Sequence, residues 1–182
     1  LANKNNGGNN DFESDYLTVN PLMGEDCLDP FINVSRSNNK GVFVLLETSN
    51  IGASMILKET DENGRQINEK ISQYIQLQHD AMGIDNGSFG PIGCVIGATN
   101  RNVSHWRKKL PNSIFLMPGI GAQGGSWDSV KSCLNQSNQG VMVPISRGIT
   151  KAKSLDGSEN DYIQEVKRNI QLYYDQMGKI LN

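Results

Sequence analysis

Residues 115–126 read FLMPGIGAQGGS, and this stretch decides how the rest of the chain is interpreted. Its apolar start is typical of a buried strand, and its glycine-rich end leads toward a helix. The free backbone N–H groups at the start of a helix favour an anion. Gly119, Gly121 and Gly124 also satisfy the G-x-G-x-x-G pattern of dinucleotide-binding folds, so that function has to be weighed.

Two features of the sequence argue against a dinucleotide site. The dinucleotide motif calls for an acidic residue about twenty positions further on, at the end of the next strand. Here the next apolar run is followed by Ser146, Arg147 and Gly148, and an arginine suits phosphate instead. The motif also normally opens a domain, whereas a single strand follows it here. A P-loop is excluded as well, because no Lys-Ser or Lys-Thr pair follows the glycines.

Outward from this stretch, short apolar runs alternate with longer amphipathic patterns. The predicted strands are residues 16–19, 42–47, 93–96, 113–117 and 141–145, and the predicted helices are residues 68–81, 103–109, 127–134 and 161–181. The strands are continuously apolar, as parallel strands are when both of their faces are covered. Ser158 and Asn160 are candidate caps for the last helix. This alternation predicts a parallel sheet built from βαβ units.

Five strands fit two architectures. One is a small doubly wound sheet, and the other is five of the eight strands of a (β/α)8 barrel, which takes about 250 residues when complete. Barrels build a phosphate site from the loops after their seventh and eighth strands. The loops around Gln123 and Arg147 fit that site, with backbone N–H groups of Ser146 and Gly148 as further donors. The alternatives are a glycine-rich turn without function and a solvated surface arginine.

Composition narrows the class of protein. The chain has 182 residues, and 17 Lys and Arg against 19 Asp and Glu argue against nucleic-acid binding. No apolar run approaches the ~20 residues that a membrane helix needs. Three cysteines without a metal-site spacing indicate reduced thiols in the cytoplasm. We expect a polar loop or frayed end over residues 1–14 and one cytoplasmic domain over residues 15–182, which binds neither nucleic acid nor a membrane.

Five loops together resemble those of the orotidine 5′-monophosphate decarboxylase family. Residues 118–125, PGIGAQGG, resemble its seventh-strand loop, and residues 146–149, SRGI, resemble its eighth-strand loop. Residues 18–24 (TVNPLMG), 47–50 (ETSN) and 96–99 (IGAT) are similar to the exits of its fourth, fifth and sixth strands. The resemblance implies a (β/α)8 TIM barrel of which this chain supplies about strands four to eight.

The same resemblance implies a role for each matching residue. Gln123 and Arg147 would bind the 5′-phosphate of the substrate through their side chains, and Ser146 would help through its backbone. Ser49 would hydrogen-bond the pyrimidine ring, and Pro118 would pack against that ring. The loop after Pro118 would be a lid that closes over the phosphate, with glycines as its hinges: Gly119, Gly121, Gly124 and Gly125.

The implied reaction converts orotidylate to uridylate and carbon dioxide in pyrimidine biosynthesis, without a metal or organic cofactor. The family's Asp-x-Lys-x-x-Asp motif, which carries catalytic lysines and aspartates, does not occur in this sequence. We therefore expect the catalytic groups on a complementing N-terminal part of the barrel that holds strands one to three, and no activity from this chain alone. The family also shares one aspartate across a subunit interface, which implies a homodimer.

Two other functions stay open. Another phosphate-binding barrel of the same superfamily would act on a sugar phosphate, although Thr48, Ser49 and the Gln-Gly-Gly lid favour a pyrimidine nucleotide. The second is a non-catalytic phosphate-binding half-barrel that needs a complementing chain. Outside the site, we expect His79 and His105 at the surface or an interface. The cysteines at 94 and 133 are expected in the core, and the basic residues of 101–109 on one solvated helix face.

Overall fold

The computed structural model describes residues 14–101, 103–151 and 159–181. Within these ranges the chain forms a sheet of five strands: β1 (Tyr16–Val19), β2 (Gly41–Glu47), β3 (Ile92–Ile96), β4 (Phe115–Leu116) and β5 (Val141–Met142). The helices of the same ranges are α1 (Glu25–Ser37), α2 (Ser54–Leu57), α3 (Ile67–Met82), α4 (Ser104–Lys109), α5 (Trp127–Ser132), α6 (Arg147–Thr150) and α7 (Glu159–Leu181). Short 3-10 turns at Pro21–Met23 and Ile51–Ala53 follow β1 and β2.

The order of the strands distinguishes the two candidate architectures. The strands lie in the order β1-β2-β3-β4-β5, and each is parallel to the strand before it. A doubly wound sheet reverses its strand order at a switch point, whereas a barrel adds each strand next to the previous one. The described sheet has no such reversal. The doubly wound alternative is therefore wrong, and the sheet has the order of a barrel.

The two central strands carry the hydrophobic core. Every residue of β3 is buried, and Val42, Val44 and Leu46 of β2 are fully enclosed. Ile75 of α3 and Trp106 of α4 cover the sheet. For β2 and β3 the burial confirms the prediction that continuously apolar runs form strands covered on both faces, whereas β1 and β5 are partly exposed. Cys94 and Cys133 are buried as well, as expected.

The strands of the glycine-rich half are shorter than predicted. The predicted strands 113–117 and 141–145 form regular ladders only at Phe115–Leu116 and Val141–Met142. Pro118 and Pro144 have no backbone N–H with which to extend those ladders. The chain nevertheless stays in register beyond them, because the Met117 N–H donates to the Met142 carbonyl at 2.8 Å.

The four predicted helices are present in the structure, whereas α1 and the short helices α2 and α6 were not predicted. The helices α3, α4, α5 and α7 lie within two residues of their predicted bounds at each end. Helix α1 was not predicted, because Pro30 interrupts it and removes one backbone donor. Buried Leu28 and Ile32 hold α1 against the sheet. Asn160 lies in the first turn of α7, while Ser158 and the predicted polar loop up to residue 13 lie outside the described residues.

Two predictions about polar side chains outside the site are wrong. His79, expected at the surface or an interface, is 1% exposed, and burial lowers the pKa of its imidazole to about 4. Its ring lies against Gly90, just before β3. Arg107, expected on a solvated helix face, makes five hydrogen bonds between 2.8 and 3.2 Å to the backbone carbonyls of Leu110, Pro111, Ser113, Cys133 and Gly140. A six-residue helix shows too little periodicity to reveal which of its faces is inward.

Candidate functional site

The glycine-rich loop lies at the carboxyl ends of β3 and β4. Its start is fixed because the Ala98 N–H donates to the Pro118 carbonyl at 2.8 Å. Its end is fixed because the Ser126 N–H donates to the Ala98 carbonyl at 2.9 Å. The Ser126 hydroxyl then accepts from the Asp128 N–H at 3.1 Å and caps α5. The loop is thus fastened at both ends to the residues that follow β3.

The backbone conformation and packing of this loop require glycine at four positions. Gly119, Gly121 and Gly124 have φ values of +120°, +83° and +73°, which residues with a Cβ rarely adopt. Gly125 lacks space instead, because a Cβ there would come within 2.8 Å of the Gly119 carbonyl. The Gly125 N–H donates to that same carbonyl at 2.8 Å. Substituting any of these four residues therefore strains the loop.

Two of the expected substrate-binding side chains touch each other. The Ser49 hydroxyl donates to Oε1 of Gln123 at 3.2 Å, although 74 positions separate the two residues. Ser49 follows β2 and packs on Gly97, where a Cβ would come within 2.7 Å of the Ser49 Cβ. The exits of β2, β3 and β4 therefore converge at one place, as expected for parallel strands of one sheet.

Arg147 begins α6, directly after the strand β5 and its short extension. Its side chain is exposed, and no hydrogen bond or ion pair joins its guanidinium to another residue of the described part of the chain. The Ser146 carbonyl closes the turn by accepting from the N–H groups of Ile149 and Thr150, each at 2.9 Å. The first N–H groups of a helix have no partner within it, so this turn presents donors beside the exposed Arg147 guanidinium.

The two loops are neighbours. A Cβ built on Gly121 would lie 3.6 Å from the Cα of Gly148, so the glycine-rich loop and the Arg147 turn pack against each other. Pro118, half-buried directly after β4, lies at the base of the first loop. The structure therefore brings together Ser49, Gln123 and the two strand-end loops at one edge of the sheet.

Glu47, the first residue of the ETSN stretch, supports the end of β2. It ends β2, and its carboxylate accepts a hydrogen bond from the Trp106 indole and faces the Lys58 ammonium at 3.9 Å. Its backbone carbonyl accepts from the Gly97 N–H at 2.7 Å. These contacts join the end of β2 to β3 and α4, directly before Ser49.

The described residues provide no metal centre. Among them, no group of three or more His, Cys, Asp and Glu side chains could hold a metal ion. In the same part of the chain, no helix has both the length and the apolar character that crossing a bilayer requires. What the carboxyl edge of the sheet offers is a cation, backbone N–H donors and amide and hydroxyl groups, which together suit an anion.

The sequence matches the profile of the Orotidine 5′-phosphate decarboxylase / HUMPS family over residues 3–159. The chain belongs to this family. It is 38% identical to the orotidine 5′-phosphate decarboxylase of Clostridium botulinum strain Langeland over 160 residues, which are 87% of this chain and 55% of that protein. The Rhodopirellula baltica enzyme is 38% identical over 140 residues, 76% of this chain and 46% of that protein. The chain thus spans about half the length of the curated relatives it matches.

Solved structures agree with the family. The orotidine 5′-monophosphate decarboxylase of Plasmodium berghei superposes with a TM-score of 0.70 at 25% identity, covering 92% of this chain and 48% of that one. UMP synthase of Leishmania donovani superposes with a TM-score of 0.62 at 28% identity, covering 86% of this chain and 32% of that one. These neighbours confirm the predicted fold class: the five-stranded sheet is part of a (β/α)8 TIM barrel.

Proposed function

We propose that this chain forms the phosphate- and pyrimidine-binding part of an orotidine 5′-phosphate decarboxylase, which converts orotidylate to uridylate and carbon dioxide. The observation that carries the proposal is the hydrogen bond between Ser49 and Gln123. This bond lies beside the two strand-end loops, residues 118–125 and 146–149, which we call the two glycine loops. It joins a side chain suited to a pyrimidine edge to one that lies in a phosphate loop. Together with the Gln-Gly-Gly lid, this pairing favours a pyrimidine nucleotide over a sugar phosphate.

The phosphate end of the site rests on Arg147. An exposed guanidinium without a partner in the described chain can bind two phosphate oxygens at once, and such charge-assisted pairs are the strong ones. The backbone N–H groups at Ser146 and Gly148 add donors to the same anion. Gln123 uses its Oε1 to accept from Ser49, which leaves its amide N–H groups to donate to phosphate.

The pyrimidine end of the site rests on Ser49. Its hydroxyl hydrogen points to Gln123, so the lone pairs of its oxygen can accept from a ring N–H. Pro118 offers an apolar surface against which the ring packs. Binding energy gained at the phosphate, away from the reacting carbon, then serves to hold the pyrimidine in place for the reaction. The lid role of the loop after Pro118 belongs to the same proposal, with Gly119, Gly121, Gly124 and Gly125 as its flexible positions.

The acids and bases of the reaction are proposed to lie on a complementing N-terminal part of the barrel. The sequence contains no Asp-x-Lys-x-x-Asp motif. The enzyme is further proposed to work without metal or cofactor, as a homodimer, in the cytoplasm. Free thiols at the described cysteines support a reducing compartment. Exposed apolar Met23 and Met55, beyond β1 and β2, support an interface there.

The sharpest test compares uridine 5′-monophosphate (UMP) with uridine as ligands. Arg147→Ala removes a charge-assisted pair worth ~1.5–3 kcal/mol, so UMP should bind roughly ten- to a hundredfold more weakly. Uridine binding should not change, because uridine has no phosphate. Lys151→Ala, which removes an exposed cation just after α6, is the matched control and should leave both affinities unchanged.

Three results would contradict the proposal. If Arg147→Ala weakened the binding of UMP and of uridine equally, Arg147 would not be the residue that binds the phosphate. Ribose 5-phosphate that binds as tightly as UMP would favour a sugar-phosphate substrate. Decarboxylation of orotidylate by a sample that intact mass shows to hold this 182-residue chain alone would place the reacting groups within it.

A further inference from the structure

Tyr173 reaches from α7 to both glycine loops. A Cβ at Gly148 would lie 2.4 Å from the Tyr173 hydroxyl oxygen and 3.0 Å from its Cζ. A Cβ at Gly121 would lie 2.5 Å from the same oxygen and 3.3 Å from Cζ. These separations are far shorter than the ~3.5–4.0 Å of ordinary carbon contacts. One hydroxyl group therefore fills the space in which both glycines would otherwise carry a side chain.

The helix that carries Tyr173 is fastened on both sides of it. One turn earlier, the Asn169 amide donates to the Ile149 carbonyl at 3.1 Å. One turn later, Gln176 accepts from the Trp127 indole N–H at 2.8 Å. Asn169, Tyr173 and Gln176 are spaced four and three residues apart, so they share one face of α7. That face is thereby held against α6 and α5, the helices that follow the two glycine loops.

The Tyr173 hydroxyl is held in place by packing and not by a hydrogen bond to any residue of the described chain. No residue in the described ranges hydrogen-bonds to the Tyr173 oxygen, and the side chain is only half-buried among core residues. A phenylalanine would fill the hydrophobic part of this place equally well. The oxygen atom adds length at the one point where the loops of Gly121 and Gly148 meet.

We propose that Tyr173 is a positioning residue of the phosphate site, whose hydroxyl sets the separation between the two glycine loops. This inference rests on the proposed function, because it assumes that the loops bind a phosphate monoester. Arg147 lies on one loop and Gln123 on the other. The separation of the loops therefore fixes the distance between the two side chains that would bind the phosphate. A binding site has to hold its groups within about 0.5 Å of the productive geometry. Removing one hydroxyl oxygen from between the loops is therefore enough to weaken binding.

The first variant is Tyr173→Phe, with Tyr174→Phe as its matched control. Removing the oxygen lets the loops approach each other, so UMP should bind roughly fivefold more weakly while uridine binding stays the same. Tyr174 lies next along the helix and is 64% exposed, so its phenylalanine variant should bind both ligands like the parent chain. The ratio of UMP to uridine affinity is the readout, because a general loss of folding would lower both affinities together.

The second variant tests the contact itself through a double-mutant cycle. Gly148 has no positive φ and lies in a helical turn, so the backbone tolerates Gly148→Ala, and the clash with the Tyr173 oxygen is its main cost. In the parent chain it should weaken UMP binding by roughly tenfold or more, whereas in the Tyr173→Phe background the same change should cost clearly less. The nearest ring atom is then Cζ, at 3.0 Å from the new methyl group.

The outcomes separate the two proposals. If the parent chain binds UMP no better than uridine, the proposed function fails and this inference fails with it. If the parent prefers UMP but Tyr173→Phe matches it and the cycle is additive, the positioning role is wrong while the phosphate site stands. If Tyr173→Phe weakens UMP and uridine equally, the role of Tyr173 is general packing, and the inference is also wrong. A selective loss of UMP binding together with a non-additive cycle supports it.

Discussion

Two arginines mark the two ends of the same pair of strands. Arg107 lies at the amino ends of β4 and β5, where its guanidinium binds the carbonyls of Ser113 and Gly140 and lies 3.9 Å from the Phe115 ring. Arg147 lies beyond the carboxyl end of β5, exposed and without a partner among the described residues. Burial lowers the pKa of Arg107 to about 10, so its guanidinium stays charged at neutral pH.

The difference between the two arginines indicates that the two ends of the strands have different roles, one in stability and one in binding. At the amino ends of β4 and β5, Arg107 is bonded to backbone carbonyls of the chain itself, so it contributes to stability and is not available to a ligand. At the carboxyl ends, the described residues leave the Arg147 guanidinium without a partner beside the first backbone N–H groups of α6, which suits an incoming anion. Barrel enzymes in general keep their active sites at the carboxyl ends of the strands and their stabilising contacts at the opposite face. Variants at the two ends should therefore affect different measurements.

The largest expected effect comes from the amino ends. Arg107→Ala leaves several backbone carbonyls without their donor and should lower the free energy of unfolding by about 4 kcal/mol. Lys108→Ala, on the exposed side of the same helix, should change it by less than about 0.5 kcal/mol. Chemical denaturation measures both. The folded fraction of Arg107→Ala should keep the parent's preference for UMP over uridine, and a lost preference would break the division between the two ends.

The free energy of unfolding is expected to depend on pH because of the buried His79 at the amino end of β3. His79 is buried there and neutral, with a folded pKa of about 4 against about 6.5 when unfolded, so the unfolded chain binds more protons between these values. Stability is complete above pH 6.5 and should fall by about 3 kcal/mol as the pH drops toward 4. Unfolding of the parent chain and of His79→Gln, measured across this range, isolates the contribution. Parallel pH profiles would contradict the assignment.

A smaller effect is expected at the pyrimidine end of the site. Ser49→Ala removes one hydrogen bond of about 1 kcal/mol, so UMP and uridine should both bind about fivefold more weakly. This equal effect on both ligands contrasts with the selective effect of Arg147→Ala. Ser137→Ala, in an exposed turn, is the control. Titration calorimetry with both ligands measures the pattern, and a loss confined to UMP would move Ser49 to the phosphate end.

How much the sequence revealed depends on how local each feature is. The glycine-rich loop, Gln123 and Arg147 could be proposed as site residues from the sequence because their pattern lies within two short segments. Arg107 was misjudged because its carbonyl partners are spread from residue 110 to residue 140 and meet only in the folded chain. Tyr173 was read only as one position in an amphipathic pattern, since nothing local to α7 points to the loops near residues 121 and 148.

The same distinction holds for the fold. The sequential order of the strands followed from their number and from the loops that resemble the family's strand exits, and the structure agrees. The lengths of β4 and β5 did not follow, because they depend on which backbone N–H groups find a partner beside Pro118 and Pro144. Helix α1 was missed for a related reason. Propensity around Pro30 argues against a helix, while burial of Leu28 and Ile32 stabilises one.

The most direct test of the central claim is a crystal structure of this chain with UMP bound. We expect phosphate oxygens within about 3 Å of the Arg147 guanidinium and the Gly148 backbone N–H, with the Gln123 amide on the same phosphate. The Ser49 hydroxyl should lie within the same distance of the uracil edge. A phosphate bound away from both strand-end loops, with Arg147 still in solvent, would contradict the account.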